Sequence, residues 1–384
     1  MLRLSQYLRD AVEGRPVPRR RPAAPVVIWN LIRRCNLRCS HCYTASADRD
    51  FAGELGTAEA LAVVDDLAAM RVPALILSGG EPLLRPDLMR IVARAKAAGI
   101  YVGLSTNGTL VDAAWVERLA GSGLDYVGIS LDGLEATHDR IRGREGAFAA
   151  ALAALERLAA RGLRVGARFT LTRDNALELP DLMDRLDAAG VRRFYLSHLN
   201  YAGRGRSASD AHLRTTREVM HYLCELAWLD LQTGREREIV TGNNDADGVF
   251  LLHWLARRAP EHAPALEARL RAWGGNASGI AIANIDNRGW VHPDSFWWDH
   301  RLGNVRERPF SEIWRRSDDA LLAGLRARPR PLKGRCAACR HLELCNGNTR
   351  VRAKLAFGDP WAEDPGCYLT DAEIGLGEAG RAVA

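Results

Sequence analysis

The chain is 384 residues long, with 47% apolar and 26% charged residues and a formal net charge of +6, which leaves room for one large domain and a smaller one, each with its own core. No stretch approaches the roughly 20 uninterrupted apolar residues of a membrane span, and the N-terminus lacks the apolar segment of a secretory signal; no membrane partner is expected. Its basic residues are scattered along helix-like stretches, without a recognition motif or an aromatic-interleaved stripe, so nucleic acid is not an expected partner either.

Residues 1–25 read as an extended N-terminal arm, because Pro16, Pro18 and Pro22 around the run Arg19–Arg21 deny it a helix. From Val26 onward, strand-like and helix-like stretches alternate. Strands are predicted at Val26–Leu31, Ala74–Leu77, Tyr101–Leu104, Tyr126–Ser130, Arg164–Leu171 and Arg193–Leu196. Helices between them include Thr57–Met70 with Thr57 as N-cap, Pro86–Ala98 ended by Gly99, and Glu145–Arg161 ended by Gly162. This alternation makes a parallel sheet with helices outside. Six units are too few to close an eight-fold barrel, so the expected fold is α/β, an open partial (β/α)6 barrel over residues 26–206. Helical patterns at Thr215–Thr233, Gly248–Arg258 and Ala263–Trp273 make residues 207–275 a helical bridge. Residues 276–384 read as a small cysteine-rich domain that opens with a hairpin, Ile280–Asn284 and Trp290–His292, around the Gly289 turn.

The eight cysteines fall in two groups and one singleton. Cys35, Cys39 and Cys42 share one short loop directly after the first strand, a loop that can wrap only one compact metal centre. A 4Fe–4S cubane normally takes four thiolates, so three would leave one iron open to another ligand. The alternative is half of a zinc site, with His41 as a fourth ligand. Cys336, Cys339, Cys345 and Cys367 make a complete set of four, suited to zinc or to a second iron–sulfur centre closed by protein. Tight clustering without a signal segment argues for metal ligation in a reducing cytoplasm rather than for disulfides. Cys224 reads as a buried small apolar residue. The other unusual turns, Ser78–Pro82, Ser105–Gly108 and Ser130–Gly133, also lie just past strand ends. Each alone could be an ordinary connector. Together they occupy the rim where parallel α/β barrels build active sites.

The cysteine loop, the Gly79-Gly80-Glu81-Pro82 turn and the next two strand ends resemble radical S-adenosylmethionine (SAM) enzymes, across at least Val26–Tyr201. The resemblance implies that Cys35, Cys39 and Cys42 bind three irons of a 4Fe–4S cluster and that SAM chelates the fourth. It implies that Gly79, Gly80 and Glu81 hold the methionine amino group, and that Ser105, Thr106 and Asn107 reach the ribose or methionine part, with Ser130 and Asp132 beside them. Arg142 would meet the SAM carboxylate through its fork of donors. The tail is similar to the auxiliary-cluster (SPASM/Twitch-type) domain of such enzymes, which implies a second 4Fe–4S cluster on Cys336, Cys339, Cys345 and Cys367. Where a cysteine often follows the hairpin glycine this chain has Trp290-Val291-His292, so one auxiliary cluster is expected rather than two.

Three further stretches, Asn244–Phe250, Gly274–Gly279 and Val291–Trp298, look like the NirJ-type enzymes of haem d1 biosynthesis. That resemblance implies 12,18-didecarboxysirohaem as substrate and removal of two propionate side chains through a 5′-deoxyadenosyl radical. It further implies the auxiliary cluster as electron acceptor and a low-potential donor such as a flavodoxin or ferredoxin. A haem-pathway decarboxylase acting on another tetrapyrrole and a SPASM-type peptide maturase are the alternatives. A tetrapyrrole with several carboxylates also needs basic partners. Past the sixth strand, His198 and Arg204-Gly205-Arg206 reach the rim, so Arg204 and Arg206 are expected to bind propionates and His198 to face the substrate or its iron. A plain arginine-rich surface loop and a packed histidine are the alternatives there.

Overall fold

The structure, a computed structural model, describes residues 1–17 and 23–377. The chain begins with a helix, α1 (Leu4–Val12), and then lays down β1 (Val26–Ile32), β2 (Ala74–Gly79), β3 (Tyr101–Thr106), β4 (Tyr126–Ser130), β5 (Val165–Leu171), β6 (Arg193–His198), β7 (Glu238–Gly242), β8 (Ile282–Ile285), β9 (Trp290–His292) and β10 (Gly303–Asn304). They form one sheet in the order β10-β9-β8-β1-β2-β3-β4-β5-β6-β7. Every pairing from β8 through β1 to β7 is parallel, and β9 and β10 are added antiparallel at one edge. β1 shows why the sheet forms. Its seven residues are apolar apart from Asn30, five of them are buried, and a strand covered on both faces needs that composition.

The parallel α/β architecture is as expected, and all six predicted strands are present. Two pairings go beyond that reading. Glu238–Gly242, inside the expected helical bridge, pairs with β6, and Ile282–Ile285, from the expected tail domain, pairs with β1 on the other side. The sheet therefore runs across both expected boundaries, at 206/207 and 275/276. β7 escaped notice because it is five residues long and follows a 21-residue helix directly. The three helices of the bridge are α8 (Leu213–Thr233), α9 (Ala246–Arg258) and α10 (Ala263–Trp273) when numbered after α2 (Thr57–Ala69), α3 (Leu88–Ala97), α4 (Ala113–Ala120), α5 (Glu135–Arg142), α6 (Ala147–Ala160) and α7 (Leu179–Ala188).

The N-terminal arm needs a correction. Residues 4–12 are helical, and Leu4, Leu8 and Ala11 are buried on one side, where they join a core that runs from Leu2 to Ile374. The prolines begin only at Pro16 and so do not disturb that helix; Pro18, the run Arg19–Arg21 and Pro22 lie outside the described residues. Leu2 forms a bridge with Thr241 of β7, so the arm seals the far end of the sheet. A smaller correction concerns α2. Its N-cap is Gly56, whose N–H donates to Glu59 at 2.7 Å, and Thr57 is the first helical residue.

Candidate active site

The three barrel cysteines sit where β1 delivers them. Cys35 and Cys39 are buried and Cys42 is half-buried, and with Leu37 they form a small cluster separate from the main core. Burial pushes the Cys35 thiol up to about 12 and raises Cys39 as well, because a thiolate loses hydration there. These groups give up their protons only to a cation placed among them. Weak donors already point at the sulfurs: Leu37 N–H lies 3.4 Å from Cys35 Sγ, Asn107 Nδ2 3.8 Å from it, and Arg142 Nη1 3.5 Å from Cys39 Sγ.

The loop is braced from below by a buried ionic group. Asp132, past the end of β4, is fully buried; its Oδ2 pairs with Arg142 and lies 2.7 Å from His41 Nε2, while Oδ1 accepts from Thr170 N–H at 2.6 Å. Burial alone would raise this carboxyl, but Arg142 and then His41 outweigh it and hold Asp132 far below the ordinary carboxylate range. Arg142 shifts the opposite way: burial works against its charge, and Asp132 and Cys39 overcome it. His138 Nδ1 accepts from the Asp132 N–H at 2.9 Å, and burial, helped by Arg142, drives that ring down to about 4, so it stays neutral. His41 Nε2 is held by Asp132, which ties the cysteine loop to the end of β4. Asp132 and Arg142, expected beside SAM, brace the cysteine loop, and Arg142 Nε is buried without a hydrogen-bond partner.

The Gly-Gly-Glu turn is a second brace. A Cβ on Gly79 would collide with the Ile32 carbonyl, and one on Gly80 with the carbonyls of Arg33 and Arg34. Glycine here lets the cysteine loop cross the end of β2 at contact distance. Glu81 is fully buried and accepts from Thr106 Oγ1 at 2.7 Å, Asn107 N–H at 2.8 Å and Leu83 N–H at 3.1 Å. Burial raises this carboxyl despite those bonds. Three of its acceptor positions are taken, so Glu81 ties the ends of β2 and β3 together. Asn107 links the same corner to the loop, donating to Asn36 Oδ1 at 2.9 Å. Thr106 and Asn107 are buried, whereas Ser105 and Ser130 are half-buried at the rim ends of β3 and β4.

The residues past β6 expected to meet the substrate are placed differently from one another. Arg204 turns back onto the cysteine loop, with Nε 2.7 Å from the Cys39 carbonyl, Nη1 2.8 Å from the Ser46 carbonyl, and its own N–H 2.9 Å from the Cys42 carbonyl. Gly203, at φ +56°, allows this, because a Cβ there would strike the Cys42 and Tyr43 carbonyls. Carbonyls of a tight loop need donors, and Arg204 supplies them to Cys39, Cys42 and Ser46. Arg206 is exposed, so the two arginines do not form one site. His198 is 4% exposed, with Nε2 3.0 Å from Asp247 Oδ2 and its ring stacked on Tyr368, whose hydroxyl donates to Asp247 Oδ1 at 2.7 Å. It is a packed histidine joining β6 to α9 and the tail. Sequence reasoning named His41 only as a possible metal ligand and missed Asn36, the bond of His41 to Asp132 and the bracing role of Arg204; the signal available was only their place in or against the loop.

The four tail cysteines line one pocket together with Arg335, His341, Val249 and Asn348. Burial raises Cys345 well above the ordinary thiol range, with Asp245 adding to it. Arg335 donates to Cys367 Sγ at 3.3 Å and is itself held by Asp371 at 2.7 Å. Asn244–Phe250, Gly274–Gly279 and Val291–Trp298 stitch this region to the barrel. Asn276 N–H donates to the Cys345 carbonyl at 3.0 Å, Asn244 Nδ2 to the Gly366 carbonyl at 2.8 Å, and the rings of Phe296 and Tyr43 meet edge to face at 5.2 Å.

Residues 29–186 match the Radical SAM superfamily. Similarity extends over nearly the whole chain to the pre-heme d1 synthase of Dinoroseobacter shibae, 53% identical over 382 residues, covering 98% of this chain and 94% of that protein. The chain belongs to the radical SAM superfamily. This radical SAM protein is also 44% identical to the Fe-coproporphyrin III synthase of Methanosarcina barkeri, over 92% of this chain and 90% of that one. Among solved structures, Streptococcus suis SuiB bound to S-adenosylmethionine superposes with a TM-score of 0.70 at 18% identity, covering 90% of this chain and 78% of that one; the likeness concerns the fold.

Membership brings a 4Fe–4S cluster and SAM, and the radical SAM loop fits them. Among the described residues no three His, Cys, Asp or Glu side chains are placed to hold a single metal ion, and the fit of a cluster rests on donor chemistry. Cys35, Cys39 and Cys42 are three thiols with N–H donors already aimed at two of them, and the loop backbone is fixed by Arg204 and the Asp132 group. Cys336, Cys339, Cys345 and Cys367 fit a cluster that needs no further ligand. No helix among the described residues is long and apolar enough to cross a membrane.

Proposed function

We propose that this radical SAM enzyme acts in haem d1 biosynthesis, removing two propionate side chains from 12,18-didecarboxysirohaem. The observation that carries the reading is the 53% identity with a pre-heme d1 synthase across 98% of the chain, which includes the barrel, the bridge and the cysteine-rich tail. When bound, the cluster and SAM supply hydrogen abstraction from an unactivated carbon. The chain's own part is to hold that chemistry in place. Cys35, Cys39 and Cys42 would hold the first cluster, with the Gly79–Gly80 backbone, Ser105 and Ser130 around SAM. Asp132, Arg142, His41 and Arg204 fix the loop so that the reacting carbon is met at one distance, which is where orientation contributes most. The four tail thiols would hold the second cluster, the electron acceptor once a side chain has left. A one-electron reductant is needed to start each turnover, and a low-potential flavodoxin or ferredoxin is inferred for that part.

Anaerobic incubation with 12,18-didecarboxysirohaem, SAM and a reductant, followed by mass spectrometry, tests the reading. Loss of two propionates is expected. SAM cleavage with an unchanged macrocycle would end it. The 44% identity with an Fe-coproporphyrin III synthase supports a second reading, decarboxylation on another haem route, and Fe-coproporphyrin III as the product would select it.

A further inference from the structure

A tetrapyrrole with several carboxylates requires basic partners, and the Arg204 side chain donates to carbonyls of the cysteine loop. The rim offers a different group. Arg33 directly follows β1, two residues before Cys35, and its Nε donates to the Thr44 carbonyl at 3.1 Å, two residues after Cys42. Its guanidinium carbon lies 4.8 Å from the centroid of Phe51 and 5.9 Å from that of Trp298. Arg49 approaches the same Phe51 ring at 4.8 Å. Arg288, in the turn between β8 and β9, completes the group: its Nε reaches over Gly53, two residues past Phe51, to 3.9 Å from where a Cβ on that glycine would stand.

Three like charges gathered beside one loop call for an anion. Nearby carboxylates are engaged elsewhere: Asp48 and Asp50 bind Arg34 at 2.8 and 3.2 Å, Glu54 accepts from the backbone N–H of Arg33 and from Asn287, and Asp286 Oδ1 caps the hairpin turn through the N–H groups of Arg288 and Trp290. Among the described residues, Arg33, Arg49 and Arg288 have no carboxylate at ion-pair distance. Beside Arg33, the Trp298 indole N–H is buried without a hydrogen-bond partner. The group thus combines guanidinium forks, which suit carboxylates, with aromatic faces, which suit a planar macrocycle.

We propose that Arg33, Arg49 and Arg288, with Phe51 and Trp298, form the site that binds carboxylate side chains of the tetrapyrrole substrate. The proposal rests on the tetrapyrrole reading and adds the residues that recognise it. Because Arg33 is tied to both ends of the cysteine loop, a carboxylate held here has a fixed position relative to the first cluster. The β8–β9 hairpin contributes Arg288, which gives the expected tail domain a direct part in substrate binding.

Visible absorption titration of 12,18-didecarboxysirohaem, and of its methyl ester, into the iron-loaded enzyme tests this. The Arg49→Ala/Arg288→Ala variant loses only exposed side chains; Arg33→Ala is measured beside it, with iron content reporting on its fold. The variants are expected to bind the acid form about tenfold more weakly or worse, and the ester no differently from the unaltered enzyme. Equal affinity of the acid form for the unaltered enzyme and the Arg49/Arg288 variant overturns the site and leaves the tetrapyrrole reading standing. No binding of the acid form by the unaltered enzyme overturns both.

Discussion

Cys35, Cys39 and Cys42 come from one turn of chain at the end of one strand, whereas Cys336, Cys339, Cys345 and Cys367 are gathered from separated positions in the tail. The first set leaves a ligand position open and is surrounded by groups that fix the loop: Asp132, Arg142 and His41 below, Glu81 through Asn107 at the side, Arg204 on the carbonyls. At the second set the donor to a sulfur from a side chain is Arg335, and the surrounding hydrogen bonds join the region to β7 and the hairpin. A site that must present substrate and SAM to each other needs its backbone held from several directions. A site closed by four thiolates obtains much of its rigidity from the cluster itself, and the protein need only bring the segments together.

The largest effect that could break this contrast is the loss of either thiol set. Replacing Cys35, Cys39 and Cys42 with alanine should remove about half of the iron and all SAM cleavage; iron analysis showing full loading would end the assignment of the loop. Replacing Cys336 and Cys339 should remove the other half and leave reductive SAM cleavage in place, while side-chain removal fails to reach completion. Full product from a variant that has lost its second cluster would refute the electron-acceptor role.

The braces should matter next, and selectively. Asp132→Ala leaves Arg142 buried without its ion-pair partner, and removing one partner of a buried ion pair costs about 3–5 kcal/mol. Denaturant unfolding should show that loss, and iron should fall at the barrel loop while the tail keeps its share. Arg204→Ala uncovers carbonyls of the loop and should cost about 1–3 kcal/mol, again with iron lost from the barrel side. If that variant instead kept its stability and iron but lost tetrapyrrole affinity, Arg204 would be a substrate residue after all.

The smallest effect lies away from both sites. Glu238 of β7 accepts from Arg164 at 2.7 Å and Arg193 at 3.0 Å. Burial raises its carboxyl, but the hydrogen bond and charge of Arg164 outweigh this and lower it below the ordinary glutamate range. A carboxyl depressed in the folded state contributes stability above its unfolded value, about 4.3, and that contribution disappears as pH falls through the folded value. Glu238→Gln should therefore cost less than about 1 kcal/mol at neutral pH and nothing in acid, as thermal unfolding across pH would show.

Much of the chemistry was legible in the residues alone. Three thiols in one loop cannot be far apart whatever the fold, so their joint role followed from covalent spacing. The alternation of strand and helix, and the polar turns at each strand end, placed the rim, because the period of a pattern survives without knowledge of packing. Long-range assignments were decided only by the tertiary structure. Nothing local in Arg204 or His198 tells whether the side chain faces a substrate or a neighbouring carbonyl. That choice depends on which unsatisfied groups lie opposite, and these are Cys39 and Ser46 for the one, Asp247 for the other. The same holds for Glu238–Gly242 and Ile282–Ile285, two short segments whose strand character arises from the edges of the sheet they meet. It holds also for Arg33, Arg49 and Arg288, which lie apart in sequence and become one basic group only when β8 pairs beside β1.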